Sequence, residues 1–207
     1  MKPRFVGKLS AADIVTVTNA AIGFVAAAVA TVERYGSSKA GAFLDALADV
    51  STFVVAPAVL VFSLAGVETV TLTAATVATL VAGGLFVAAG VLRLGMYAAY
   101  DEDDTTTEGV QTTLAATLLA ALQVAGVTAT GSVIYGIAGP TIAVAAAVVL
   151  AVAMLAPITY PDLLAGDALI LGAVQACTVL FPSALRRAFP IALLICALAY
   201  VTLSPRF

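Results

Sequence analysis

The sequence has few of the residues that cover a soluble protein's surface or that build most catalytic sites. It contains no histidine, no tryptophan and only two cysteines, and only 10% of its residues are charged. Soluble domains carry about 25% charged residues, so the composition excludes a water-soluble globule. The formal net charge of −3 excludes a strongly basic nucleic-acid-binding protein, and we expect no nucleic acid among the partners.

These shortages also restrict the chemistry. Without histidine there is no imidazole base or imidazole ligand, so a metal site would need oxygen ligands, which favour Mg²⁺, Mn²⁺ or Ca²⁺. Cys177 and Cys196 lie in apolar runs without the spacing of a zinc site. We interpret both as small core residues.

Long apolar runs make up most of the chain, which is 62% hydrophobic. Because about 20 apolar residues span a bilayer as a helix, we predict an all-α, polytopic transmembrane bundle of about six to seven spans. It would be a single domain over residues 1–207 in the cell membrane, with a short amphipathic basic N-terminus. Residues 101–108 are predicted to form an aqueous loop. The predicted spans are 14–32, 43–65, 70–100, 112–134, 140–158, 168–180 and 188–203.

Two carboxylates at the start of the second apolar run need an explanation. Asp45 and Asp49 are four residues apart, and Gly41 precedes Asp45 by the same step. Residues at this spacing lie on one face of an α-helix. A carboxylate deep in hydrocarbon costs about 2.5–3.5 kcal/mol on insertion scales, so Asp49 should face a cavity, a partner charge or a metal. Asp45 alone would also fit a first-turn carboxylate that the helix dipole stabilises.

The stripe Gly41-x-x-x-Asp45-x-x-x-Asp49 resembles the second half of the CDP-alcohol phosphatidyltransferase signature, D-x-x-D-G-x-x-A-R-(x)8-G-x-x-x-D-x-x-x-D. Residues 35–57 and the pattern Thr16-x-x-Asn19-x-x-x-Gly23 are similar to the phosphatidylserine (archaetidylserine) synthase branch of that family. The resemblance implies transfer of a phosphatidyl or archaetidyl group from a CDP-lipid to the hydroxyl of L-serine, with release of CMP. The active site would lie near the cytoplasmic face, and the resemblance allows a homodimer among membrane lipids.

The resemblance also implies roles for individual residues. Asp45 and Asp49 would bind Mg²⁺ or Mn²⁺, and Asp49 would be the base that deprotonates the incoming hydroxyl. Arg93 would hold a phosphate or the serine carboxylate, whereas its position near a helix end, taken alone, indicates a side chain that extends to the membrane surface. The remaining substrate-binding residues implied are Gly41, Asn19 and Ser38.

The first half of the signature, D-x-x-D-G-x-x-A-R, is absent. Basic residues flank the first predicted span on both sides, with Lys2, Arg4 and Lys8 before it and Arg34 and Lys39 after it. The positive-inside rule places both flanks in the cytoplasm, which a single span does not allow. We therefore predict an internal deletion of one helix and its loop between residues 32 and 34.

Two alternatives to an active transferase stay open. One is a membrane carrier or structural helical bundle whose buried carboxylates serve ion or proton coupling. The other is a catalytically inactive relative, because two carboxylates alone are a poor site for a pair of hard cations.

Overall fold

The computed structural model describes residues 47–67, 71–100, 106–130, 137–161 and 165–204. These residues are mostly helical, and we number their helices from the first one described. The helices are α1 (Leu47–Leu64), α2 (Ala74–Tyr100), α3 (Thr112–Ala125), α4 (Gly139–Leu155), α5 (Ala165–Leu180) and α6 (Ala188–Leu203). Two short strands, β1 (Thr106–Glu108) and β2 (Thr159–Pro161), pair in an antiparallel ribbon.

The prediction of a helical membrane bundle is confirmed in its coarse form. Three helices in the described part of the chain are long and apolar enough to cross a membrane: Leu47–Leu64, Ala74–Tyr97 and Ala184–Leu203. The others are shorter, and the 14 residues of α3 extend only about 21 Å, against about 30 Å of hydrocarbon. The larger number of spans therefore stays a prediction. The predicted first span, the basic N-terminus and the proposed deletion lie outside the described residues.

The predicted run 112–134 is too long, because α3 ends at Gly126. This glycine has a φ of +116°, a left-handed conformation that glycine adopts without penalty. The N–H of Val127 donates to the carbonyl of Leu122 at 3.0 Å, and the N–H of Gly126 to that of Gln123 at 3.0 Å. These two bonds are the standard glycine-dependent end of an α-helix. The sequence continues apolar beyond the glycine, so hydrophobicity alone does not reveal the end.

The predicted aqueous loop is also partly wrong, since Thr106–Glu108 pairs with Thr159–Pro161. The fold is therefore helical with one small ribbon rather than strictly all-α. Threonine and tyrosine favour strands, but two strands alone are marginally stable, so packing on the helices must hold the ribbon. The remaining loop residues, 101–105, lie outside the described residues.

The core is built mainly from side chains of α2, α3 and α4, with contributions from α1, α6 and β2. Phe86, Leu119, Met154 and Tyr160 are among its members. The expected burial of the cysteines is wrong for Cys196, which is exposed, while Cys177 is half-buried. In a bundle that faces lipid, apolar residues also cover the outside, so an apolar run does not tell which of its residues are internal.

The helices α1 and α2 pack antiparallel, so one end of the bundle contains the beginning of α1 and the end of α2. Gly90 packs against Val54, and Gly83 lies near the carbonyl of Ala58. The beginning of α1 therefore lies beside the end of α2. The ribbon joins the chain after α2 to the chain after α4, and the end of α6 reaches the same place through Tyr200, whose hydroxyl donates to the carbonyl of Pro161 at 2.7 Å. We call this the Asp49 end.

The opposite end contains the connectors that follow α1, α3 and α5. Gly66, just after α1, lies against Ala129, which follows α3. Gly126 lies against the guanidinium of Arg187, which directly precedes α6. We call this the Arg187 end.

A tyrosine pair fastens the ribbon to α6. The rings of Tyr160 and Tyr200 stack with centroids 5.8 Å apart. The hydroxyl of Tyr160 also donates to the carbonyl of Val201 at 3.3 Å. Burial raises the pKa of Tyr160 above its ordinary value of 10.0, because an ionised phenol would be poorly solvated there.

This pKa shift predicts a loss of stability at alkaline pH. The raised pKa means that the unfolded chain releases the Tyr160 proton first, so the contribution to stability is complete below pH 10 and disappears as the pH rises through the folded-state pKa. An absorbance titration of tyrosinate in detergent should contain a late component that Tyr160→Phe removes. A late component that is unchanged in Tyr160→Phe would contradict this account.

Candidate functional site

Asp49 lies in the first described turn of α1, immediately before a π-helical turn, Val50–Val55. The N–H of Ala56 bonds to the carbonyl of Ser51, five residues earlier. In an α-helix, residues five apart differ by about 140° in direction, whereas in a turn closed by bonds five residues apart they come nearly into line. Asp49 therefore lies on nearly the same side of α1 as Val54, the side that packs on α2. The side chain of Asp49 is half-buried.

Arg93 is buried at the same end of the helix pair. It is three residues beyond Gly90, which contacts Val54, and Asp49 is five residues before Val54 on the antiparallel helix. Arg93 is only 8% exposed, and its Nη2 donates to the carbonyl of Glu108 in β1 at 3.4 Å. Arg93 is therefore a buried side chain that contacts the ribbon, and both its extension to the membrane surface and its binding of substrate stay predictions.

The ribbon is attached to the end of α4 through backbone contacts. The N–H of Gly109 donates to the carbonyl of Ile158 at 2.8 Å, and the N–H of Val110 to that of Ala153 at 3.0 Å. Gly109 has a φ of +71°, and a Cβ there would overlap the carbonyl of Met154. Glycine is thus required at this position both for conformation and for space.

An apolar groove runs between α1 and α2 below the Asp49 end. Its volume is about 450 Å³ and it is open along one side. Gly83 and Gly84 give it depth, since they carry no side chain into it. Its upper limit is Val55, at the end of the π-helical turn that follows Asp49. The other lining residues are Ala58, Val59, Phe62, Thr79, Leu80, Val87 and Ala88.

The described residues do not form a metal site by themselves. Among them there is no group of three or more His, Cys, Asp or Glu side chains. Mg²⁺ in proteins is usually held by one or two carboxylates together with substrate phosphates and water. Asp49 supplies one such carboxylate, and the predicted second ligand, Asp45, lies outside the described residues.

The structure places two of the predicted site residues, Asp49 and Arg93, at one end of the bundle. The others, Gly41, Asn19, Ser38 and Asp45, lie outside the described residues. The ribbon that contacts Arg93 was not predicted, although Thr106, Thr107, Thr159 and Tyr160 are residue types that favour strands.

No protein-family model matches the chain, and no similar curated protein is found. The resemblance to the CDP-alcohol phosphatidyltransferases therefore rests on the motif itself. The site has to be interpreted from its own geometry: a carboxylate, a buried guanidinium and an apolar groove.

Proposed function

We propose that the chain is a membrane transferase that moves a phosphatidyl or archaetidyl group from a CDP-lipid to the hydroxyl of L-serine, with release of CMP. One observation carries the proposal: the helix pair α1–α2 holds Asp49 and buried Arg93 at the same end. The apolar groove that begins beside the same turn of α1 adds support, because a lipid substrate needs an apolar surface for its chains.

The proposed roles follow from the chemistry of the two side chains. The serine oxygen attacks phosphorus, its proton passes to the carboxylate of Asp49, and the phosphorus–oxygen bond to CMP breaks with the electron pair leaving on CMP. A positioned base of this kind contributes about 10²–10⁴-fold to a rate. Arg93, as a planar and permanently charged guanidinium, would bind a phosphate or carboxylate of the substrates.

We further propose that the Asp49 end faces the cytoplasm. The resemblance places the active site near the cytoplasmic face, and this end of the bundle holds Asp49 and Arg93.

The test of the function is a comparison of two activities of the same purified chain. In CDP-lipid vesicles we expect CMP release that depends on added L-serine. In liposomes under an ion or proton gradient we expect no flux above that of empty liposomes. Flux without CMP release would support the carrier, and neither activity would support the structural bundle or the inactive relative; each of these results would overturn the proposal.

The divalent metal is tested separately. We expect Asp45→Ala to raise the Mg²⁺ or Mn²⁺ concentration needed for half-maximal CMP release by about tenfold or more. Thermal stability should change little, because the substitution removes a metal-binding carboxylate and no apolar group. If Asp45→Ala instead unfolds the protein without changing its metal dependence, Asp45 is only a helix-start carboxylate.

A further inference from the structure

The connector between α5 and α6, residues 181–187, has an unusual backbone. Leu185, Arg186 and Arg187 have φ values of +48°, +56° and +67°. Three successive left-handed residues without a glycine are unfavourable for L-amino acids, so the surrounding structure must hold them. The N–H of Arg187 donates to the carbonyl of Ala184 at 3.0 Å, and that of Ala184 to the carbonyl of Phe181 at 3.1 Å. The connector is thus a compact, hydrogen-bonded turn that fixes the backbone of its two arginines.

The turn is also an isolated centre of positive charge. Arg186 and Arg187 are the only charged residues between Asp167 and Arg206, and both are exposed. Around them at the Arg187 end, residues 65–67, 71–73, 126–130 and 137–138 include no acidic side chain; Glu68 lies outside the described residues. Arg187 packs over Gly126, at the carboxyl end of α3, where the helix dipole favours a cation. Residues 181–187 contain no acidic side chain that would neutralise the charge of Arg186.

Large exposed apolar side chains precede the two arginines closely along the chain. Phe181 is 56% exposed and Leu185 is 76% exposed, and the last turn of α5 adds Val179 and Leu180 at 73% and 69%. Since the connector opens the membrane-span candidate Ala184–Leu203, it lies where that span meets the membrane surface. A cation flanked by exposed apolar groups at this depth matches the layered chemistry of a lipid, with its phosphate above its hydrocarbon.

We propose that this turn, residues 181–187, binds the phosphate of an anionic lipid at the membrane surface, at the end of the bundle opposite Asp49. The guanidinium of Arg186, joined by that of Arg187, pairs with phosphate oxygens, while Phe181 and Leu185 contact the upper part of the lipid chains. Each basic residue at such a surface is expected to strengthen binding of an anionic lipid about fivefold. The site is independent of the proposed transferase reaction.

The experiment uses the absence of tryptophan from the chain. Phe181→Trp places a single fluorophore in the turn, and the protein is reconstituted in neutral phosphatidylcholine vesicles that contain either brominated phosphatidylglycerol or brominated phosphatidylcholine. At low salt we expect brominated phosphatidylglycerol to quench the tryptophan with at least about fivefold higher apparent affinity than brominated phosphatidylcholine. This preference should fall as the salt concentration rises. Val152→Trp is the matched control, since Val152 is 66% exposed on α4; it should distinguish the two lipids by less than about twofold.

Arginine variants decide whether the turn is responsible. In the Phe181→Trp background, Arg186→Gln should reduce the anionic preference about fivefold, and it removes no contact with Gly126. Arg187→Gln should do the same, with circular dichroism reporting any loss of fold. Equal quenching by the two lipids, or a preference that both variants retain, would overturn the proposal. Displacement of the lipid by inorganic phosphate at constant ionic strength would also overturn it, because the site would then recognise the free anion.

Discussion

Replacement of Asp49 by asparagine is expected to lower serine-dependent CMP release at least about 100-fold and to leave the protein folded and inserted. The amide keeps the shape of the carboxylate but does not accept the proton of the attacking hydroxyl. Asp49 is half-buried, and asparagine keeps its size and one acceptor oxygen, so the protein should stay folded and inserted. The measurements are CMP release in CDP-lipid vesicles and thermal unfolding of the same sample.

Ser51→Ala is the matched control for this experiment. Ser51 lies two residues after Asp49, within the π-helical turn that Asp49 precedes. It is exposed, and its hydroxyl donates to the carbonyl of Ala48 at 2.8 Å. Loss of one exposed hydrogen bond lowers the free energy of unfolding by about 1 kcal/mol. Because Ser51 has no proposed role in the reaction, CMP release should stay within about twofold of the unmodified protein. Retention of most of the CMP release by Asp49→Asn would remove the assignment of Asp49 as the base.

The sequence predicted the elements that depend on long apolar runs and missed those that depend on one or two residues. The run that begins near Asp49 is the helix Leu47–Leu64, because a chain in hydrocarbon must satisfy its backbone polar groups within helices. The end of α3 at Gly126 depends instead on one left-handed glycine. The ribbon depends on strands of three residues, which are too short to establish an alternating pattern.

Burial could not be predicted in the same way. Arg93 lies in an apolar helix, and apolar residues such as Leu92 at 56% exposure cover the outer side of that helix as well. In lipid the inner and outer faces carry similar residues, so hydrophobic periodicity does not identify the face that packs inward. The folded structure identifies Arg93 as an internal residue through its burial, at 8% exposure, and through its bond to the carbonyl of Glu108 in the ribbon.

The ribbon itself is the subject of the second large expected effect, the destabilisation by Gly109→Ala. Alanine in the left-handed conformation costs roughly 1–2 kcal/mol, and its Cβ would overlap the carbonyl of Met154. That carbonyl belongs to the last turns of α4, next to the bond from Val110 to Ala153 at 3.0 Å, so it has little freedom to move away. We expect a loss of stability on the order of 3 kcal/mol, measured by reversible unfolding in mixed detergent.

Gly95→Ala provides the matched control, because it adds the same methyl group near the same end of the bundle. Gly95 lies within α2, and no heavy atom lies within 4 Å of the position that its Cβ would occupy. Alanine is favoured over glycine within a helix by roughly 0.5–1 kcal/mol, so Gly95→Ala should be as stable as the unmodified protein or slightly more stable. If Gly109→Ala unfolds at the same denaturant concentration as Gly95→Ala, the ribbon is not fixed on α4 at this glycine. The ribbon would then not explain the burial of Arg93, and this conclusion would hold whether or not the chain releases CMP.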